Sequence, residues 1–389
     1  MLTRFRVNNF RNLINVEFRP TRVNLIIGPN NAGKTNLCNA IRFVSATASL
    51  SLDEAIGFVL GENWNITNAY VPEKQIALEL DMALKTDRDL TFEYRLTLSA
   101  EREALTGKQN LRVDRETLLV TGLSPHRLPL IQNEIGTAEV YDEKARSQLQ
   151  SLVPIQATAL SKMFDVEANK HAVLFKQQLG NCWYFNIVPQ ALRSTKVFGK
   201  FPMINCDGTN LNKLLYSLHN ENPRLERTII EALKRVEPKI DLFKFYSPDP
   251  DFILFLLEDK QGHPFSPQSM SDGTLRYLVL CGLFALLDEW GRNAVPAPLV
   301  IFEEPENGLY VGALKPLMSN LDFSGTSGQC IFTSHNPYFI DLFDANPQGV
   351  HVMKPGTPSP SIVKPDPEKL RKLLDDMPLG ELHFRELVA

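Results

Sequence analysis

Residues 28–35 read Gly-Pro-Asn-Asn-Ala-Gly-Lys-Thr and follow the apolar run Val23, Asn24, Leu25, Ile26, Ile27. Strand, glycine-bracketed turn, then helix is the setting a phosphate-binding P-loop requires. Gly28 and Gly33 let the backbone curl so that successive N–H groups converge on phosphates, at the positive end of the next helix. Lys34 is placed to reach the β- and γ-phosphates, and the Thr35 hydroxyl to ligate Mg²⁺. Leu37, Ile41 and Val44 fall on one face of the helix that follows. The segment from Asn30 through Asn31, Ala32, Gly33, Lys34 and Thr35 to Asn36 is therefore expected to cradle a nucleoside triphosphate.

The rest of the chain narrows the use of that nucleotide. With 41 Lys plus Arg against 45 Asp plus Glu, the net charge of -4 gives no whole-chain case for nucleic-acid affinity. Five scattered cysteines without a C-x-x-C pair exclude an obvious zinc site and fit thiols kept reduced in a cytosol. No signal peptide precedes the first strand pattern, and the longest apolar run, Tyr277–Leu287, has 11 residues, too few to cross a bilayer. A cytoplasmic protein with no membrane partner is expected.

Strand alternation marks Phe5–Phe18, Gln75–Met82, Leu90–Ala100 and Leu111–Val120. Leu128–Gln178 reads as helical and polar, an inserted helical lobe too short for a long coiled-coil arm. Helices are expected at Leu211–Leu218, Arg224–Arg235 and near Glu368–Asp375, with strands at Phe252–Leu257, read as buried, and Val350–Met353. The expected division is an N-terminal lobe at 1–127, the helical insertion at 128–183, a C-terminal lobe at 184–355 and a tail at 356–389.

Three further motifs carry chemistry. Leu299-Val300-Ile301-Phe302 runs into Glu303-Glu304-Pro305-Glu306-Asn307, the pattern of a buried parallel strand with two carboxylates at its C-terminal end, where open α/β sheets place their ligands. Burying unpaired charge is costly, so the tandem acids read as a Walker B motif. Glu303 would orient Mg²⁺, and Glu304 would polarise the attacking water. Ser271-Asp272-Gly273-Thr274 opens an apolar helix, with Ser271 as its cap and Gly273 leaving room for a phosphate. Cys330-Ile331-Phe332-Thr333-Ser334-His335 is a short buried strand ending in a candidate γ-phosphate sensor.

Together these motifs resemble the ATP-binding heads of the ABC class, in the RecF/SMC/OLD-like branch of prokaryotic AAA family ATPases. The resemblance spans nearly the whole chain. It implies an α/β fold: an ABC-type ATPase head with a parallel-sheet P-loop core, an antiparallel β subdomain and the helical insertion. Asn9-Phe10-Arg11-Asn12-Leu13 looks like that branch's N-terminal turn, which puts Arg11 and Asn12 near the nucleotide. Ser271, Asp272 and Gly273 match its signature, Glu303–Leu309 its Walker B and D-loop, and Thr333–Pro337 its switch-histidine segment. Pro189–Arg193 and Leu379-Gly380-Glu381-Leu382 also recur in the branch. The Q-loop glutamine is either Gln190 or Gln156.

The resemblance implies ATP and Mg²⁺ as cofactors, slow hydrolysis, and a homodimer or higher homo-oligomer in which the signature of one chain faces the P-loop of another. No nuclease constellation follows His335, so an effector, a nuclease or toxin, is expected to be a separate protein, as in bacterial anti-phage systems. The competing expectation is a RecF-like DNA-repair ATPase that touches DNA through Arg193, Lys196 and Lys200 or through Arg224, Arg227, Lys234 and Arg235.

Overall fold

The structure, a computed structural model, describes residues 1–61, 65–72, 74–85, 88–103, 108–124, 126–195, 205–249, 252–293, 298–318 and 328–388. Its centre is a six-stranded sheet. Cys182–Phe185, Leu299–Glu303, Gln329–Ser334, Val23–Ile27 and Val350–Lys354 lie side by side and parallel, and Ser361–Val363 closes one edge antiparallel. Every residue of Val23–Ile27 is buried, which is why this strand reads as one apolar run. Its one polar member, Asn24, spends its amide on the carbonyls of Thr21 and Cys330, at 2.9 and 3.0 Å.

The two faces of this sheet feed two cores. Ile26, Ile301 and Ile331 point to one side, where the P-loop helix Lys34–Ala46 and the helix Lys170–Gly180 are packed beneath a large antiparallel sheet. Leu25, Ile27, Val300, Phe302 and Phe332 point to the other side, against the long helix Asp272–Asn293 and the helices Leu211–Glu221 and Pro223–Lys234. Phe302 and Phe332 stack with centroids 5.0 Å apart, and Phe284 meets Phe302 edge-on at 5.3 Å. This stack fixes the mutual height of the acidic strand and the histidine strand.

Three readings need correction. The segment expected to be a helical lobe instead forms the strands Leu128–Glu134, Thr137–Asp142 and Ser147–Leu152, which extend the antiparallel sheet to eight strands; only Lys170–Gly180 is a regular α-helix there. Ile135 and Gly136 (φ 45° and 83°) supply the two positive-φ positions that a two-residue hairpin turn needs. The period of two was masked because few positions, Ala138 and Val140 among them, face the core, while Ser147–Leu152 is exposed throughout. Phe252–Asp259 is a strand buried on one face only, in a separate three-stranded antiparallel sheet. The tail carries two helices, Pro367–Leu374 and Leu379–Phe384, where one was expected.

Buried Glu116 joins the antiparallel sheet to the turn that follows it. Its carboxylate accepts from the backbone N–H of Ala159 at 2.6 Å and of Leu160 at 3.0 Å, and from Tyr94 Oη at 2.9 Å. Burial raises its pKa, and these donors oppose that shift.

Candidate functional site

The P-loop leaves its strand at the C-terminal edge of the parallel sheet. Gly28 has φ 149°, and a Cβ there would lie 2.2 Å from the Met353 carbonyl oxygen, so only glycine fits. Asn31 (φ 63°) and Gly33 (φ 96°) complete the curl. Beneath it lies a pocket of about 370 Å³ lined by Asn12, Asn30, Asn31, Ala32, Gly33, Lys34, Thr35, Asn36 and Glu304. The P-loop residues expected around a phosphate group therefore share one cavity with one of the tandem acids. Lys34 donates to the carbonyls of Gly28 at 2.7 Å and Pro29 at 3.1 Å. Burial lowers its pKa, and the charges of Glu304 and Glu303 act against that shift.

The N-terminal turn reaches the same pocket. Asn36 donates to Asn12 Oδ1 at 2.7 Å and accepts from Arg11 Nη1 at 3.4 Å. Asn9, Arg11 and Asn15 all have positive φ, a local strain consistent with a turn held in place by its surroundings.

Register places the acids. Glu303 pairs with Thr333 across the parallel ladder, and the next residue, Glu304, turns to φ 43° with its N–H on the Thr333 carbonyl at 3.1 Å. The two side chains thus part. Glu303 Oε1 accepts from Thr35 Oγ1, and Glu303 Oε2 accepts from the Tyr184 hydroxyl. Glu304 Oε2 accepts from Asn307 Nδ2 at 2.7 Å, and its Oε1 lies 3.1 Å from His335 Nδ1. Glu306 is buried beneath and accepts from Ser334 Oγ; burial pushes its carboxyl up to about 7. The Thr35 and Glu303 oxygens lie side by side, hard donors of the kind Mg²⁺ takes with phosphate oxygens and waters.

His335 also lines a neighbouring cavity of about 560 Å³ with Gly28, Pro29, Met353 and His383. The tail helix forms part of its wall. It is tied to the segment after His335 by hydrogen bonds from Leu379 N to Asp344 and from Gly380 N to Asp341, at 3.0 and 2.8 Å.

Ser271, Asp272 and Gly273 do not line the P-loop pocket of their own chain. Ser271 Oγ caps its helix by accepting from Thr274 N at 3.1 Å. Asp272 pairs with Arg193 at 2.7 Å, and Arg193 also donates to the Met270 carbonyl at 2.8 Å. Gly273 faces the Gly308 carbonyl so closely that a Cβ would approach it to 2.8 Å, and Arg276 donates to the carbonyls of Asn307 and Ile187. The signature turn and the loop after the acidic strand are therefore one packed unit. Arg193, read as DNA-facing, belongs to this unit. Lys234 is paired with Glu231 and Asp241 at the end of its amphipathic helix, and Lys196 and Lys200 lie outside the described residues. Gln190 follows the parallel strand Cys182–Phe185, whereas the backbone carbonyl of Gln156 accepts from Leu52 N at 2.9 Å.

Sequence reading assigns no individual role to Tyr184, Asn307 or Arg276 and takes Arg193 as DNA-facing. Tyr184, Arg193 and Arg276 meet their partners only through sheet pairing or helix packing, whereas Asn307 bonds Glu304 within the turn that ends the acidic strand.

Comparison with known proteins identifies the family and the fold. The family profile described as "AAA ATPase domain" matches residues 1–249. A second profile, an AAA domain whose description names an AbiEii toxin and a Type IV TA system, matches residues 207–341. An "ATP/GTP phosphatase" of Helicobacter pylori (strain ATCC 700392 / 26695) is 21% identical over 376 residues, covering 88% of each chain. The crystal structure of an SmcHead bound to the C-winged helix domain of ScpA superposes with a TM-score of 0.56 at 14% identity, over 95% of this chain and 99% of that one. That likeness establishes the fold. The chain belongs to the AAA ATPase domain family and is an ATP hydrolase.

Proposed function

We propose that this member of the AAA ATPase domain family is an ATP-operated switch that closes with a second copy of itself and controls a separate effector. The carrying observation is a division of the site. Lys34, Thr35, Glu303, Glu304 and His335 gather at one end of the parallel sheet, while Ser271–Gly273 stands on another helix outside that pocket. In this reading the signature turn that meets a phosphate held by the P-loop comes from a second chain.

In this reading Lys34 and the P-loop N–H groups hold the triphosphate, with Arg11 and Asn12 at its margin. Thr35 and Glu303 hold Mg²⁺, which supplies charge neutralisation on the phosphate oxygens. Glu304 takes the proton of the attacking water, and His335, beside it at 3.1 Å, reads the γ-phosphate. The signature of the second chain closes over the nucleotide, and hydrolysis releases it.

An effector role in defence, through a nuclease or toxin, rests on the resemblance and is supported by the second profile's toxin description. Direct action on DNA is the weaker reading, since Arg193 and Lys234 are committed within the chain. The test is mass measurement of the purified chain with and without ATP and Mg²⁺, alone and with the product of the neighbouring gene. A chain that binds ATP but never changes its mass would exclude the switch as stated.

A further inference from the structure

The eight-stranded antiparallel sheet ends on Ser147–Leu152, and among the described residues no strand pairs with its outer edge. All six residues are exposed, Leu149 at 51% and Leu152 at 88%. Natural edge strands are normally blunted by charge, proline or a bulge. This one, Ser-Gln-Leu-Gln-Ser-Leu, carries no charge and no proline, and its pairing with the inner neighbour runs without a register shift.

The edge also has a defined hydrogen-bonding phase. Val153 N donates to the Gly136 carbonyl at 2.8 Å, one register step beyond the pairing of Leu152 with Thr137. Because bonded and non-bonded pairs alternate along an antiparallel ladder, Ser147, Leu149 and Ser151 spend their backbone groups on the inner strand. Gln148, Gln150 and Leu152 turn theirs outward.

The sequence of the edge is a palindrome about Leu149: Ser147-Gln148-Leu149-Gln150-Ser151. A two-fold interface demands a self-complementary surface, and an antiparallel strand pair is the backbone arrangement that meets that demand. From this we infer that Ser147–Leu152 pairs edge to edge with the same strand of a second copy, on an axis through Leu149. Gln148 then faces the second copy's Gln150 as a hydrogen-bonded pair, in phase with the outward backbone groups. Leu149 meets its counterpart as a non-bonded pair, where side chains come closest. Arg146 falls opposite Leu152, so no like charges oppose. Leu149 continues the face that Val140 buries inside the chain, and pairing gives it an apolar neighbour.

This interface needs no nucleotide and does not involve the P-loop. Combined with ATP-driven closure elsewhere on the chain it would link dimers into larger assemblies, a six-residue contact being small and gaining strength from multivalency.

The test uses Lys34→Ala chains, in which ATP-driven closure cannot contribute. At about 100 μM, a concentration that populates micromolar contacts, this chain should run as a dimer. Leu149→Lys in the same background should halve the mass, and mixing it with Leu149→Glu chains should restore the dimer. Separately, Leu149→Cys with Cys206→Ser should form a disulfide-linked dimer on oxidation, while Leu152→Cys, which is off the axis and on the opposite face, should not. A monomeric Lys34→Ala chain, or a crosslink at 149 no stronger than at 152, would overturn the proposal and leave the edge to a different partner.

Discussion

Asn307 donates its side-chain amide to Glu304 Oε2 at 2.7 Å, so the loop that packs on the signature helix also holds the carboxylate expected to activate water. The backbone of Glu304 is at φ 43°, a strained conformation for a non-glycine residue, and this bond is one of the contacts that fix its direction. Glu304→Gln keeps the shape but removes the base. We expect hydrolysis to fall by about 10²-fold or more with ATP affinity retained and a closed dimer accumulating. Single-turnover rates and mass with ATP test this, and wild-type turnover would remove Glu304 from its role.

Lys34→Ala should abolish ATP binding, because the phosphate pocket loses the cation that Glu303 and Glu304 now balance. Titration calorimetry with ATP and Mg²⁺ measures it directly. Binding at normal affinity would contradict the assignment of the pocket.

Tyr184→Phe removes one hydroxyl and nothing of the strand. Glu303 then keeps Thr35 but loses the donor on its other oxygen. ATP affinity without Mg²⁺ should be unchanged, while the gain in affinity on adding Mg²⁺ should shrink by about tenfold, the scale of one charge-assisted hydrogen bond. An identical Mg²⁺ response in both proteins would show that Tyr184 does not position the acid.

Ser271→Arg is expected to leave nucleotide binding by one chain intact while blocking closure. Mixed with Lys34→Ala chains it should regain activity, since one wild-type P-loop then meets one intact signature. A mixture no more active than its parents would count against a site shared between chains.

Glu306 gives a pH signature. Its carboxyl is raised from 4.5 to about 7 because it is buried, so the folded chain disfavours the ionised form. Below pH 4.5 both folded and unfolded chains hold the proton and the group costs nothing. The cost grows from there to pH 7 and is constant above. Glu306→Gln should therefore match wild type in Tm near pH 5 and exceed it by a few degrees at pH 8 in nucleotide-free protein. A constant offset across that range would mean that Glu306 does not titrate.

Local pattern was enough for the parts of this protein whose physics is local. The P-loop was legible because strand, glycine turn and helix occupy consecutive residues, and each position has its own steric reason. The acidic and histidine strands were legible because a strand buried on both faces is a continuous apolar run, interrupted only where it reaches the ligand edge. The segment 128–152 was not legible, since a strand exposed on both faces, as Ser147–Leu152 is, loses the alternation that identifies it, and short neighbours with few apolar positions then read as a solvated helix. Nor could the sequence join Tyr184 to Glu303, 119 residues away, or Arg193 to Asp272. Those pairs exist because parallel pairing sets one strand end beside another and helix packing turns the signature toward the loop after Glu304. Sequence determined which groups are proposed to carry the chemistry; tertiary structure decided how distant ones among them hold one another in place, since those bonds depend on elements that meet only when both cores close.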